Sequence, residues 1–160
     1  LCENPVTLAH FLDVAAKSRW LAEELARHPA FFDALLDQRQ LTTLPERGTL
    51  AAELGERVAA AGAEGAERVL DALREFKEHH VFNVALAEMR GTLPLMNVSD
   101  YLTFLAEAIL ECALELAWQE NAEKFGVYPW PQPFIVVGYG KLGGIELGPG
   151  SDLDLVFIHD

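Results

Sequence analysis

The stretch that decides the reading is Phe134 to Asp160, FIVVGYGKLGGIELGPGSDLDLVFIHD. An apolar run leads into a glycine-rich turn, and Ser151-Asp-Leu-Asp-Leu-Val-Phe157 follows as a strand. Successive strand side chains point to opposite faces, so Asp152 and Asp154 are expected on one face of a buried strand, with Leu153 and Leu155 turned to the core. Two residues of strand rise separate the acids by roughly 6–7 Å. That spacing lets them embrace a pair of metal ions about 3.5–4 Å apart, as phosphoryl or nucleotidyl transfer requires. Two like charges so close are costly unless a cation neutralises them. A bare Asp-x-Asp is as readily an exposed acidic strand end; the glycines at a fixed distance upstream tip the reading toward metal.

Those glycines lie in Gly138-Tyr-Gly-Lys-Leu-Gly-Gly144. Without a Cβ, backbone N–H groups can approach and cradle an anion. The pattern is not a Walker loop, because Lys141 precedes the glycine pair and no Gly-Lys-Ser/Thr follows. It is not a dinucleotide fingerprint either, since no helix and ribose-binding acid fit in this tail.

Read together, Gly143-Gly144 and Ser151-Asp152-Leu153-Asp154 resemble a nucleotidyltransferase of the DNA polymerase β type. In that superfamily a glycine pair holds the triphosphate and a strand Asp-x-Asp holds magnesium. The fuller pattern Gly-Tyr-Gly-Lys-Leu-Gly-Gly-x-Glu-Leu-x(3)-Ser-Asp-Leu-Asp-Leu resembles glutamate–ammonia ligase adenylyltransferase, the bifunctional regulator of glutamine synthetase. Arg27 to Asp37, Leu73 to Lys77 and Gly91 to Asp100 look like the same family, so the resemblance covers most of the chain. It implies two nucleotidyltransferase domains in the whole protein, one attaching AMP from ATP to a tyrosine of glutamine synthetase and one removing it. The Gly-Tyr-Gly-Lys wording and the Gly91–Asp100 segment look more like the C-terminal, adenylylating half; the removing half stays open as the alternative. The implied site has Asp152 and Asp154 as catalytic metal ligands for Mg²⁺, and Gly143, Gly144 and Ser151 as binding residues for ATP. Lys141 can approach a phosphate or stand as an exposed turn lysine. Implied partners are glutamine synthetase and a PII-type signalling protein.

Two departures matter. Gly150 stands where such proteins often have a second serine before Ser151. The superfamily also needs a third carboxylate from a later strand, and Asp160 is too near to supply it. A chain opening on Leu1 and closing inside a sheet reads as a piece of a larger protein, expected to be inactive by itself. A helical interaction module is therefore the competing reading of the isolated chain. A nucleotidyltransferase acting on antibiotics or RNA ends is another, disfavoured by the acidic charge and the long helical prelude.

One hundred and sixty residues suffice for a real core. A net charge of −13 argues against unaided binding to nucleic acid. No apolar run exceeds four residues, which leaves no membrane span, and no basic-then-apolar leader is present. Only Cys2 and Cys112 occur; they make no metal pattern, and a reducing cytoplasm suits them. Open strand edges are expected to allow self-association.

The expected fold is α+β: a mostly helical bundle over 1–130, then over 131–160 the first strands of a polymerase β-type nucleotidyltransferase sheet, truncated. Asn4-Pro5 starts a helix whose face is Leu8, Phe11, Leu12 and Ala15. Ser18 caps a second helix that His28-Pro29 ends, and Phe31, Phe32, Leu35 and Leu36 mark a short third. After a loop from Leu41 to Gly48, a helix runs from Leu50 to Ala61. A long one follows over about 64–90 with Val69, Leu73, Phe76, His80, Val84 and Ala87 on one side, ended by Gly91 and Pro94. Ser99 is expected to cap the next, whose seam is Leu102, Leu105, Ile109, Cys112 and Leu116. Phe125 to Pro133 reads as a stiff linker.

Other constellations carry less. Glu75 and His79, with His80 following, lack a third ligand for a metal, and such helix pairs are ordinary surface partners. His80 on the apolar face reads as a hydrogen-bonded core histidine. Glu107, Glu111 and Glu115 form an acidic stripe, solvated or able to dock a basic partner.

Overall fold

The computed structural model describes residues 5–36, 45–126 and 134–159. Helix α1 (Pro5–Lys17) turns at Ser18 into α2 (Arg19–Arg27), and a 3-10 turn (Pro29–Phe31) leads into α3 (Phe32–Leu36). Three longer helices follow, α4 (Arg47–Gly62), α5 (Ala66–Met89) and α6 (Leu95–Phe125). The hairpin comes last: β1 (Phe134–Tyr139), the one-turn helix α7 (Gly140–Gly143) and β2 (Asp154–His159). The expected α+β order, bundle first and strands after, is the observed one. Cys2, Asn4 and the linker residues 127–133 lie outside the described residues, as do most of the loop beginning at Leu41 and the closing Asp160.

The bundle forms because α4, α5 and α6 pack on one another and α2 lies against α5. All six residues expected on the inner side of α5, from Val69 to Ala87, are buried. Phe76, Phe82 and Leu86 are sealed, each worth roughly 1.5–3 kcal/mol relative to exposure. In the seam of α6, Leu102 and Leu105 are buried while Ile109, Cys112 and Leu116 pack at the margin. Helix α5 ends in a Schellman motif: Gly91 sits at φ +69°, its N–H reaches Glu88 C=O, and Thr92 N–H reaches Ala87 C=O. Ser18 caps α2 as expected, its hydroxyl accepting from Leu21 N–H.

Three expectations are corrected. Ser99 does not cap α6; the helix begins a turn earlier behind Pro94, and Ser99 is buried inside it, its carbonyl accepting from Thr103 Oγ1. Pro94 has extended backbone at φ −63° and ψ 146°, which sets the entry to α6. In α1 the inward line is Thr7, Phe11 and Val14, whereas Leu8 and Leu12 face out. The sequence carries apolar residues on both lines, and the Phe11–Phe32 ring contact at 5.8 Å fixes which one turns inward. Finally, α4 starts at Arg47, so Gly48 is helical rather than loop.

His80 meets its expectation as a core histidine. Its Nδ1 is hydrogen-bonded to the Tyr101 hydroxyl. Its Nε2 lies 3.7 Å from Glu53 Oε1, too far for a hydrogen bond. Glu75 pairs with Arg68, and His79 with Asn83. The acidic stripe on α6 docks a basic group of its own chain: Arg47 Nη2 lies 3.1 Å from both Glu107 and Glu111.

Candidate functional site

Strands β1 and β2 pair antiparallel, with Gly138 opposite Leu155 and Tyr139 opposite Asp154. Paired residues share a face, so the register sorts the hairpin. Phe134, Val136, Gly138, Leu155, Phe157 and His159 share one face; Val136, Gly138 and Leu155 of it line a cleft of about 400 Å³ against α6, while Phe157 and His159 are exposed. Ile135, Val137, Tyr139, Asp154, Val156 and Ile158 form the other face. It is open to solvent: Ile135 is 58% exposed, Tyr139 57% and Ile158 51%.

Asp154 therefore stands on an outward, accessible surface. The expectation of a buried strand carrying both acids is corrected. Strand β2 begins at Asp154, Asp152 lies in the irregular segment before it, and Leu153 is exposed rather than core-facing. Among the described residues the sheet has two strands and no layer covers its outer face, and β1 ends at Tyr139, the partner of Asp154. Leu155 alone of the alternating leucines packs against the core. Both carboxylates are exposed and neither has an ion-pair or hydrogen-bond partner among the described residues.

The glycine segment is not an open loop but a compact turn. Leu142 is buried in the bundle core and anchors it. A Cβ at Gly138 would lie 2.8 Å from Leu142 Cδ2, and one at Gly143 would lie 2.7 Å from the Gly138 carbonyl oxygen. Gly143 thus lets the turn press against the β1 backbone. Gly144 closes the turn by donating to Gly140 C=O at 3.0 Å, and both residues of the pair are exposed. Ile145 N–H reaches Leu142 C=O and Glu146 N–H reaches Lys141 C=O, a second Schellman closure. Its left-handed position is filled by Ile145 at φ +57°, a β-branched residue where glycine is usual. Lys141 is exposed on the turn.

Ser151 holds the next bend. Its Oγ accepts from Gly148 N–H at 2.9 Å and its own N–H donates to Gly148 C=O at 3.0 Å. The hydroxyl hydrogen remains free to donate. On the inner side of this bend a cleft of about 170 Å³ is lined by Lys77, Leu105, Leu147, Pro149, Ser151 and Leu153. Gly143 lines the larger cleft and Ser151 the smaller, and neither cleft is lined by Asp152 or Asp154.

Reading the sequence missed Gly140. It sits at φ +55°, and a Cβ built there would lie 2.3 Å from Asp154 Oδ2. The carboxylate rests over the bare Cα of the turn. The sequence holds a signal for it, a further glycine twelve positions before Asp152 and ahead of the Gly143-Gly144 pair. Among the described residues no three His, Cys, Asp or Glu side chains converge on one point. No described helix is long and apolar enough to cross a membrane.

The site's geometry can be set beside known proteins. The chain is 49% identical to the bifunctional glutamine synthetase adenylyltransferase/adenylyl-removing enzyme of Pseudomonas syringae pv. tomato, over all of this chain and 17% of the relative. The protein of the same name from Pseudomonas putida is 47% identical over 100% of this chain and 17% of its own length. That of Pasteurella multocida is 45% identical over 99% and 16%. The chain thus spans about a sixth of the length of these relatives. The family model for glutamate-ammonia ligase adenylyltransferase matches residues 8–160, and the chain belongs to that family.

Proposed function

We propose that this chain carries the glycine turn and paired aspartates of an AMP-handling centre, and that the whole protein transfers AMP from ATP to a tyrosine of glutamine synthetase. The observation that carries this reading is Asp154. It is an exposed carboxylate at the head of β2, without a partner among the described residues, packed on a glycine turn and separated by one residue from a second such carboxylate. Residues 1–130 are read as the helical region and 131–160 as the opening part of the nucleotidyltransferase core. The compartment is taken to be the cytoplasm.

The donor set suits Mg²⁺. Two free carboxylates offer hard oxygen ligands, and their accessibility leaves room for the water that this ion retains. Asp152 and Asp154 would hold it. When bound, the ion neutralises phosphate charge and favours the ionised form of an attacking hydroxyl. The exposed Gly143 and Gly144 offer a surface without side chains for the triphosphate, and the free Ser151 hydroxyl hydrogen can donate to a phosphate oxygen. In the proposed reaction a tyrosine hydroxyl oxygen bonds to the α-phosphorus while the bond to pyrophosphate breaks, giving a tyrosyl-AMP ester. Placement and charge neutralisation carry most of the catalysis.

The relatives' names carry both AMP attachment and AMP removal, so the removing half is the second reading. There the same acids would assist phosphorolysis of the ester. Glutamine synthetase is the proposed partner, and the resemblance extends this to a PII-type signalling protein. The exposed outer face of the hairpin offers a surface for such contacts or for self-association.

The test uses the full-length protein, ATP labelled at the α-phosphate, and glutamine synthetase. Label retained on a tyrosine of the acceptor, and lost from it when Asp152 and Asp154 are changed, supports transfer. Loss of label from modified acceptor with phosphate, dependent on the same residues, supports removal. Activities indifferent to both acids would overturn either reading.

A further inference from the structure

We propose that Gly140 is a positioning residue for the metal-binding carboxylate of Asp154. It keeps vacant the volume that the carboxylate occupies. This rests on the reading of Asp154 as a metal ligand and adds to it a residue that the sequence reading did not assign.

Gly140 lies at φ +55°, so a Cβ there projects from a left-handed backbone, and it would meet Asp154 Oδ2 at 2.3 Å, Cγ at 3.3 Å and Cβ at 3.7 Å. The conflict lies with the end of the side chain, not its root. A methyl group at 140 would therefore leave the β2 backbone in place and swing the carboxylate aside. Restoring ordinary contact requires a displacement of about 1 Å, where working sites are held to about 0.5 Å.

The neighbouring glycines answer to different demands. Gly143 is pressed on backbone, against the Gly138 carbonyl, and Gly138 is pressed on Leu142. Among the turn's glycines Gly140 alone would clash with an acid, at 2.3 Å from Asp154 Oδ2; a Cβ at Gly144 would meet Glu146 at ordinary contact, 3.7 Å. The turn is pinned to the bundle by buried Leu142 and is closed by hydrogen bonds from Gly144, Ile145 and Glu146. It cannot easily recede to accommodate a larger residue, so the carboxylate must yield. The register adds to this, because Tyr139 is paired with Asp154 and the residue after it therefore abuts the acid.

A left-handed backbone also penalises any non-glycine residue, whatever the space around it. Gly91 separates the two effects. It has φ +69° and open space where a Cβ would stand. Gly91→Ala therefore reports backbone strain alone, and Gly140→Ala reports strain plus the displaced acid.

The experiment titrates Mn²⁺, a paramagnetic substitute for Mg²⁺, into the full-length protein ¹⁵N-labelled at glycine and aspartate, and follows amide broadening at the glycines of 138–144 and at Asp152 and Asp154. Unfolding is measured in parallel. The expected result is broadening centred on Asp152 and Asp154, weakened in affinity about 10–100-fold by Gly140→Ala and unchanged by Gly91→Ala. In the Asp154→Ala background the extra stability loss of Gly140→Ala should shrink to that of Gly91→Ala, even if the single variant folds poorly. Wild-type Mn²⁺ affinity in a folded Gly140→Ala, or an equal stability loss in both backgrounds, overturns the positioning role alone. Absence of broadening at the acids in the wild-type chain overturns the metal reading itself and the inference with it.

Discussion

Acidification from pH 8 to pH 5 should weaken this fold by about 2 kcal/mol through one side chain, His80. The imidazole is enclosed by Phe76, with ring centroids 4.3 Å apart, and by Tyr101, and its side chain is 8% exposed. Burial is the largest influence and holds its pKa down to about 4 from the usual 6.5. Glu53 at 3.7 Å pulls the other way, while His79 and Arg57 reinforce the depression. Burial outweighs the pull of Glu53, whose carboxylate stands 3.7 Å from Nε2, beyond ordinary hydrogen-bond length. Above pH 6.5 the residue is neutral in both folded and unfolded chains and contributes no pH dependence. Below that, the unfolded chain takes up a proton that the folded chain refuses until about pH 4, so stability falls steadily across this window. Each unit is worth at most about 1.4 kcal/mol, and integration to pH 5 gives about 2 kcal/mol. Urea unfolding at pH 8, 7, 6 and 5 measures it. His79 is lowered by burial as well and adds in the same direction. Glu75 and Glu120 are held below 4.5 by Arg68 and Lys124 and act only at lower pH. His80→Gln, whatever it does to stability at pH 8, should flatten the slope by the same 2 kcal/mol. Identical slopes in wild type and variant would refute the reasoning.

Three further outcomes follow from the glycine turn. Ile145→Gly should raise stability by about 0.5–1 kcal/mol, because it relieves a left-handed β-branched residue and gives back part in unfolded-chain entropy; a lowered unfolding midpoint would contradict that strain. Gly143→Ala should cost about 1–3 kcal/mol, since its Cβ would stand 2.7 Å from a backbone oxygen, and unchanged thermal unfolding would show that the turn can shift. Gly144→Val in the full-length protein should weaken ATP binding by crowding the phosphate approach, an effect that equilibrium titration with labelled ATP would expose or exclude.

Much of this fold was legible because it is written in period and punctuation. The inward line of α5 follows helical spacing closely, and Gly91 marks its end where a left-handed residue is needed. What failed did so where two local signals competed. Ser99 has a capping side chain, yet Pro94 five residues earlier fixes the entry to α6, and the serine is drawn inside. Helix α1 offers apolar residues on two lines, and only packing on α2 and α3 selects between them. Of the site, Gly143, Gly144, Ser151, Asp152 and Asp154 lie between or at the ends of the two strands, with Gly143 on one cleft and Ser151 on another. The sequence did not show that β2 begins at Asp154, because alternation alone does not say where a partner strand stops. Close approach across a turn, as between Gly140 and Asp154, has no sequence period and emerges only in three dimensions. The Arg47 clamp on Glu107 and Glu111 is equally long-range, joining residues that sequence reading treated apart.

The most direct test of the central claim is AMP transfer to glutamine synthetase by the full-length protein carrying Asp152→Asn or Asp154→Asn, with its unfolding midpoint measured alongside. Each amide is close in size to the acid it replaces and removes one negative charge. The account predicts that transfer is lost in both variants while the midpoint stays within a degree or so of wild type. Undiminished transfer in either variant would contradict it.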